Sequence, residues 1–295
     1  MSILSVWRQL LFIPLCTLWV STSFAQSKYN GVQIGVITYS YRSMPADLEE
    51  LLKQVQASEI SAVELMGGPV EAYLSAPTDK KALAEWRATI SMKAFKPIRK
   101  MFKKAGIEIY AFKPNALGPD NTDEEIAYAL QAAKALGALS VTVELPKDPA
   151  HSARLGKIAK KHKVLIGYHN HLQGNDEAWE TALQQSKFNS INLDCGHYIA
   201  AGGNNTRESL LAFIATHHRR ISSIHLKDRT TPENGAQNLP WGQGDTPIQE
   251  ILTLIREQKY KIPVTIELEH KIPKNSNAIE EIKKCKEFAK DILLD

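Results

Sequence analysis

The feature that most constrains the fold is a regular alternation of short apolar segments with longer amphipathic ones. Stretches such as DLEELLKQVQAS and PIQEILTLIREQ separate the apolar segments and have helical periodicity. Near-continuous apolar strands are buried on both faces, which is typical of an all-parallel sheet. Eight such strand–helix units predict an α/β protein with a closed (β/α)₈ barrel. The predicted strands are residues 32–41, 62–67, 107–114, 140–146, 164–171, 191–198, 221–228 and 264–270.

The chain length is compatible with one large barrel or with two ordinary domains. The sequence has 295 residues and no low-complexity linker divides it, so we expect a single barrel over residues 26–295. A doubly wound open sheet is the structural alternative, but no glycine-rich phosphate turn follows the first predicted strand. The second unit carries an insertion, residues 69–105, which we expect to cover the barrel.

The first 25 residues have the pattern of a secretory signal peptide. Arg8 precedes the apolar run LLFIPLCTLWV, and Ser23 and Ala25 are small residues at the positions that a signal peptidase reads. We therefore expect cleavage before Gln26 and an exported protein, periplasmic in a Gram-negative host, with no membrane attachment after removal of the signal. The formal net charge of +4 is too small to suggest nucleic-acid binding.

Polar residues cluster at the predicted C-terminal strand ends, where a barrel of this kind builds its active site. Any one of them has a structural explanation as a solvated or hydrogen-bonded residue. Carboxylates and imidazoles on one rim, however, repel or desolvate one another unless a cation or a proton compensates. The mixture favours Mn²⁺, Zn²⁺, Co²⁺ or Fe²⁺ over Ca²⁺. The set comprises Glu64, Glu144, His169, His171, Asp194, His197, His225, Lys227, Glu267 and Glu269.

Five motifs resemble the xylose-isomerase-like barrel superfamily of sugar isomerases and epimerases, which also includes nucleases of the endonuclease IV type. The motifs occur in the family's order: YHNH (168–171), LDCGHY (193–198), IHLKD (224–228), WGQGD (241–245) and TIELE (265–269). The resemblance implies a TIM barrel with a single divalent metal held by two Glu, one Asp and one His. It implies Mn²⁺ first, with Zn²⁺, Co²⁺ or Mg²⁺ as alternatives. Asp194, His225 and Glu267 match the last three ligands.

The first metal ligand is where this chain departs from the family pattern. Many epimerases have a glutamate on the fifth strand, at the position where this chain has His169. Glu144, on the preceding predicted strand, could supply the missing carboxylate. We therefore expect Glu144, His169 or both at the metal.

The resemblance also implies roles for the residues around the metal. Glu267 would exchange a proton at a carbon next to a carbonyl, through an enediolate, and Glu144 or His169 would be the second acid/base. His197 resembles a residue that holds a substrate hydroxyl or orients the adjacent carboxylate, and Lys227 could stabilise an oxyanion. The other residues expected to contact substrate are His171, Tyr39, Glu64 and Trp241, whose indole could stack on a sugar ring.

Together these features predict a metal-dependent isomerase or epimerase that acts on a free or keto sugar. A lyase or hydratase of 3-keto-glycosides would begin with the same proton abstraction and is an alternative. A non-catalytic carbohydrate-binding barrel is a second alternative, because His169 departs from the pattern. An endonuclease IV-like phosphodiesterase is disfavoured by the charge and by export. The expected partner is a small carbohydrate, and a homodimer is implied only by the family.

Overall fold

A computed structural model describes residues 26–45 and 47–295, so the predicted signal peptide lies outside the described residues. Eight parallel strands close into a barrel with surrounding helices, which confirms the predicted fold class. The strands are β1 (Val32–Ile37), β2 (Ala62–Met66), β3 (Glu108–Lys113), β4 (Ser140–Glu144), β5 (Leu165–His169), β6 (Asn189–Asp194), β7 (Ile221–Leu226) and β8 (Val264–Ile266).

Helices connect the strands and cover the outside of the barrel. Among the described residues, no helix is both long and apolar enough to cross a membrane. The helices are α1 (Leu48–Ala57), α2 (Gly67–Tyr73), α3 (Lys80–Thr89), α4 (Lys96–Lys104), α5 (Asp123–Leu136), α6 (Pro149–His162), α7 (Glu180–Gln185), α8 (Cys195–Ala201), α9 (Arg207–His217), α10 (Ile248–Glu257) and α11 (Ala278–Leu294).

The barrel closes by pairing between the last strand and the first. Each strand pairs in parallel with the next in sequence, and β8 pairs with β1 through Val264 and Ile34. A short strand, Lys28–Tyr29, folds back antiparallel onto β1. In the loop after β7, Asp228–Arg229 pairs with Asn238–Leu239.

Most strands end earlier than the sequence predicts, so several rim residues lie on turns and helix starts. Residues Thr38–Tyr41 form a 3₁₀ turn after β1, and His171 lies beyond the end of β5. Helix α8 begins directly after β6 because the Asp194 carboxylate accepts a hydrogen bond from the His197 backbone N–H and caps the helix. His197 is therefore a helical residue, and its side chain reaches the rim from α8.

Polar side chains fill the barrel interior below the rim. The hydroxyl groups of Tyr110 and Thr265 are 2.6 Å apart, and the Asn192 amide donates to the Ser223 hydroxyl at 2.7 Å. Gly35 makes room for the Tyr110 ring, since a Cβ at this position would lie 2.6 Å from a ring carbon. These hydrogen-bonded layers give the rim residues above them a rigid polar support.

The inserted segment is helical and is anchored by a buried ion-pair network. The guanidinium of Arg87, on α3, donates two hydrogen bonds to Glu71, at 2.8 and 3.0 Å, and a third to Glu125 at 2.9 Å. The Tyr128 hydroxyl donates to Glu71 as well. Because Arg87 is only 6% exposed, these bonds tie α2 and α3 to α5 with little competition from water.

Candidate metal centre

Four buried side chains converge at the C-terminal ends of neighbouring strands. His169 ends β5, Asp194 ends β6, His225 lies in β7 and Glu267 follows β8 directly. Each offers one ligand atom, and these atoms all lie within 4.8 Å of one another. The structure thus brings together the three residues that match the family's last ligands, with His169 as the fourth.

His225 is held between two carboxylates, one on each ring nitrogen. Its Nε2 lies 2.8 Å from Glu64 Oε2, and its Nδ1 lies 3.3 Å from Glu267 Oε2. Burial lowers the pKa of His225, but the two carboxylates outweigh it and raise the pKa to about 10. A metal-binding histidine is commonly oriented by a carboxylate on the ring nitrogen that does not bind the metal. Glu64, at Nε2 of His225, is in this position. Glu64 is 0% exposed, so its carboxylate supports His225 and is not open to substrate as the sequence suggested.

His169 presents an unprotonated nitrogen to the centre of the group. Its Nδ1 lies 2.7 Å from the carbonyl oxygen of the Asn192 side chain, which fixes the proton on Nδ1. The other nitrogen, Nε2, lies 3.8 Å from Asp194 Oδ2. Burial lowers the pKa of His169 to about 3, so the ring is neutral and its Nε2 lone pair is available as a ligand.

Asp194 is fixed in place by its backbone and by one of its two carboxylate oxygens. The side-chain amide of Asn170 accepts from the Asp194 N–H at 2.8 Å and donates to the Asp194 carbonyl at 3.1 Å. Oδ1 accepts the 2.7 Å hydrogen bond that caps α8, from the His197 N–H. Oδ2 is buried, and no described residue donates a hydrogen bond to it. Burial raises the pKa of Asp194 to about 7.

The donor set fits a divalent cation. Two imidazole nitrogens and two carboxylates form a ligand set that suits Mn²⁺, Zn²⁺, Co²⁺ or Fe²⁺, and His225, which is protonated without a metal, would release a proton when it binds one. Asp194 Oδ2 is buried and makes no hydrogen bond with a described residue; it has only an ion-pair contact with the Lys227 ammonium at 2.9 Å, so a divalent cation would add the direct partner that it lacks. His169, Asp194, His225 and Glu267 would therefore hold the metal.

Lys227 contributes a buried positive charge at the edge of this group. Its ammonium donates to Glu267 at 3.0 Å and to Glu269 at 2.7 Å, and lies 2.9 Å from Asp194 Oδ2. Burial lowers the pKa of Lys227, but the three carboxylates outweigh it and raise the pKa above its ordinary value. The ammonium hydrogen-bonds two carboxylates and forms an ion pair with a third, so in this arrangement it is not open to the substrate oxyanion that the sequence suggested.

Glu144 lies outside the four-residue group. One carboxylate oxygen is 2.9 Å from Lys113 Nζ, and the other is 3.2 Å from His171 Nε2. Its side chain is half exposed, and although burial raises its pKa, Lys113 holds the pKa below its ordinary value. The structure thus places His169 rather than Glu144 among the buried ligand-type residues, because Glu144 is paired at the rim.

A ring of three histidines lines the mouth above the buried group. His169, His171 and His197 offer nitrogens that all lie within 4.8 Å of one another. The Arg229 guanidinium donates to His197 Nδ1 at 2.6 Å, and His197 Nε2 is 3.9 Å from Glu269. Burial lowers the pKa of His197 to about 2, so this ring is neutral and can hydrogen-bond a hydroxyl group.

The loop with the WGQGD motif is fastened by the last residue of IHLKD. Asp228 Oδ2 accepts hydrogen bonds from three successive backbone N–H groups, those of residues 242–244, at 2.8 to 3.0 Å. Trp241, in the same loop, is 8% exposed and packs edge-on against Phe288 of α11, so its ring is not open to stack on a sugar. Tyr39 is 40% exposed in the turn after β1, at the active-site end of the barrel.

We expect Asp228→Asn to lower the free energy of unfolding by about 2 kcal/mol, because one backbone N–H then faces an amide donor and the charge-assisted bonds weaken. In the structure, Oδ1 accepts from the Thr246 N–H at 3.2 Å and Oδ2 from the other three. Urea unfolding followed by circular dichroism measures the change. Asp148→Asn, at the exposed N-cap of α6, is the matched control and should be nearly neutral. Equal effects of the two substitutions would contradict this account of the loop.

Glu64→Gln should weaken divalent-metal binding at least tenfold, because the amide orients His225 but no longer raises its basicity. Isothermal titration with MnCl₂ and ZnCl₂ measures the dissociation constants. Glu281→Gln is a suitable control: Glu281 makes a similar 3.3 Å contact with a different histidine, His270. Unchanged metal affinity in the Glu64 variant would show that Glu64 does not contribute to metal binding through His225.

Sequence reasoning missed three residues that hold the rim together. Asn192 precedes Asp194 by two positions, and this strand periodicity of two was a signal that it faces the same interior. Lys113 ends β3 beside Glu144, and Arg229 holds His197. These last two contacts join distant parts of the chain, and no local pattern in the sequence marks them.

The family comparison agrees with the closed barrel and its clustered side chains. A family model described as "Xylose isomerase-like TIM barrel" matches residues 52–288. The chain belongs to this family. No curated protein matches the chain in a sequence search.

Solved structures share the fold over most of their length. A sugar phosphate isomerase/epimerase from Parabacteroides distasonis is 19% identical, with a TM-score of 0.62, covering 90% of this chain and 96% of that one. The IolI protein, solved with a zinc atom, is 18% identical, with a TM-score of 0.66 and coverages of 89% and 98%. The probable 3-DHS dehydratase AsbF from Bacillus anthracis is 14% identical, with a TM-score of 0.63 and coverages of 87% and 98%.

Proposed function

We propose that the protein is a divalent-metal-dependent enzyme that removes a proton from a carbon next to the carbonyl of a sugar and returns it, as an isomerase or epimerase. One observation carries the proposal: two imidazoles and two carboxylates converge, buried, at the C-terminal ends of the barrel strands. Active sites occur at this end of (β/α)₈ barrels. The isomerase/epimerase among the solved neighbours supports the same reaction class.

Glu267 is the residue best placed to accept the proton. Burial raises the pKa of Glu267, but Lys227 and His225 outweigh it and keep the pKa well below its ordinary value, so the carboxylate is ionised. A bound divalent cation would polarise the substrate carbonyl and lower the barrier to enediolate formation. His197 and His171, at the mouth, would bind and orient the sugar hydroxyls. A second acid/base is needed on the other side of the carbon, and Glu144 is the candidate, because Nδ1 of His169 is bonded to Asn192 and its Nε2 would bind the metal.

The identity of the metal and the location of the protein form part of the proposal. We propose Mn²⁺ as the metal because it accepts mixed carboxylate and imidazole ligands, with Zn²⁺, Co²⁺ and Mg²⁺ to be tested beside it. Export is proposed from the signal-like sequence of residues 1–25. An exported enzyme would act on free sugars or glycosides that carry a keto group, rather than on phosphorylated intermediates.

Elimination from a 3-keto-glycoside is a second candidate, which the rim contacts favour. His171 lies at the mouth with its Nε2 3.2 Å from Glu144, and both side chains are about half exposed. This pair could protonate a leaving group on the carbon next to the one that loses its proton. The same first step would then end in a lyase product instead of an epimer. A dehydratase among the solved neighbours is consistent with this ending.

Deuterium exchange tests the common first step and separates the two endings. Protein loaded in turn with Mn²⁺, Co²⁺, Zn²⁺ or Mg²⁺ is incubated in D₂O with a panel of free keto sugars and 3-keto-glycosides. We expect proton NMR to show loss of the signal of the proton on the carbon next to the carbonyl, because deuterium replaces it. An epimer or isomer supports the first function, and release of the aglycone with an unsaturated sugar supports the second. Absence of exchange with every metal across the panel would contradict both.

A further inference from the structure

The ammonium group of Lys227 lies among three carboxylates, two of which belong to the residues that would hold the metal. It is 2.9 Å from Asp194 and 3.0 Å from Glu267, while Glu269, at 2.7 Å, lies outside the four-residue group. The lysine is 2% exposed, so water does not screen its charge. The same oxygen atoms are thus partners of an ammonium ion and candidate ligands of a divalent cation.

A divalent cation bound by Asp194 and Glu267 would lie close to this ammonium. Like charges a few ångströms apart in a water-poor site repel strongly. We propose that Lys227 is an internal cation that competes with the metal for Asp194 and Glu267 and thereby sets the metal affinity of the site. The inference deepens the proposed function and rests on the metal site that this function requires.

Competition of this kind also explains how Lys227 becomes available to a substrate. When Asp194 and Glu267 are committed to the metal, the ammonium keeps Glu269 as its hydrogen-bond partner, and its other N–H donors are free of these two carboxylates. These donors can then bind an oxygen that becomes negative during the reaction. Metal binding and exposure of the lysine to substrate are therefore coupled, and in the apo protein the ammonium offsets part of the negative charge of the three carboxylates.

Lys227→Met tests the proposal, because methionine fills a similar volume without charge. Titration of the metal-free proteins with MnCl₂ alone should give a dissociation constant at least tenfold lower for the variant than for the wild type. The melting temperature of the metal-free variant should fall by about 5 °C or more, because three carboxylates lose their cation. If Lys227 had only a structural role, its removal would weaken both metal binding and stability. Tighter metal binding together with a lower melting temperature therefore identifies competition.

Lys113→Met is the matched control, since it removes a rim lysine that pairs with Glu144 outside the four-residue group. Its metal affinity should stay within about threefold of the wild type, which excludes a general effect of net charge. If Lys227→Met folds only with metal, the metal dependence of its unfolding midpoint gives its affinity. Unchanged or weaker Mn²⁺ binding in Lys227→Met overturns the inference while leaving the proposed function in place. If Mn²⁺ binds to Lys227→Met but not to the wild type, the inference is supported, and the proposal that the wild-type enzyme carries a metal is contradicted. Absence of binding in both proteins overturns both.

Discussion

Glu267→Gln is expected to lower the rate of proton exchange at the substrate carbon by a factor of about 10²–10⁴, the usual contribution of a positioned acid/base. Glutamine keeps the side-chain volume but cannot accept the proton. The substitution also removes the charge of one of the four residues that would hold the metal, so metal binding should weaken as well. Exchange rates measured at saturating metal separate the two effects, because restored metal occupancy does not restore the base.

Glu269→Gln is the control for this experiment, two residues further along the chain. Glu269 shares the Lys227 ammonium with Glu267 but is not among the four convergent residues. We expect less than a tenfold loss of the exchange rate. If the exchange rate falls more in the Glu269 variant than in the Glu267 variant, the proton acceptor is Glu269 and not Glu267.

Arg87→Met is expected to lower the free energy of unfolding by about 3–5 kcal/mol, because it leaves two carboxylates buried without their cation. The three hydrogen bonds from Arg87 to Glu71 and Glu125 join the inserted helices to the barrel. The four-residue group lies on other elements, so metal affinity of the folded variant should be unchanged. Urea unfolding and MnCl₂ titration measure the two quantities.

An exposed ion pair provides the contrast for Arg87. Lys53 and Glu50 form an i,i+3 pair on α1, and both side chains are largely in solvent. Lys53→Met should change the unfolding free energy by less than about 0.5 kcal/mol. If Arg87→Met costs as little as Lys53→Met, the insertion does not depend on the buried network for its attachment.

The strand count follows from the local sequence, and the resemblance to the family's motifs identified three of the four ligand-type residues. Asp194, His225 and Glu267 lie at or near the C-terminal ends of their strands, and the closed barrel places such ends side by side. Periodicity could not choose between His169 and Glu144, since both residues end strands with equally apolar sequence. The choice depends on Lys113 and His171, which contact the Glu144 carboxylate at the rim from neighbouring segments.

Long-range hydrogen bonds account for the other differences. Trp241 was expected to be open to a sugar, but Asp228 binds the following backbone N–H groups and the indole packs against Phe288. Glu64 was expected to contact substrate, but it pairs with His225 from across the barrel. In each case the deciding partner lies far away in the sequence, where turn propensity and hydrophobic periodicity carry no information.

Asn170, between the two histidines of the YHNH motif, limits how the site can change. Its side-chain amide hydrogen-bonds both the N–H and the carbonyl group of Asp194, and these two bonds hold the ends of β5 and β6 together. The spacing between His169 and Asp194 is therefore set by main-chain geometry. Either side chain can be substituted without changing the relative position of the two backbone segments. A redesign that replaces His169 with glutamate should keep Asn170, since loss of this amide would release both neighbouring ligands at once.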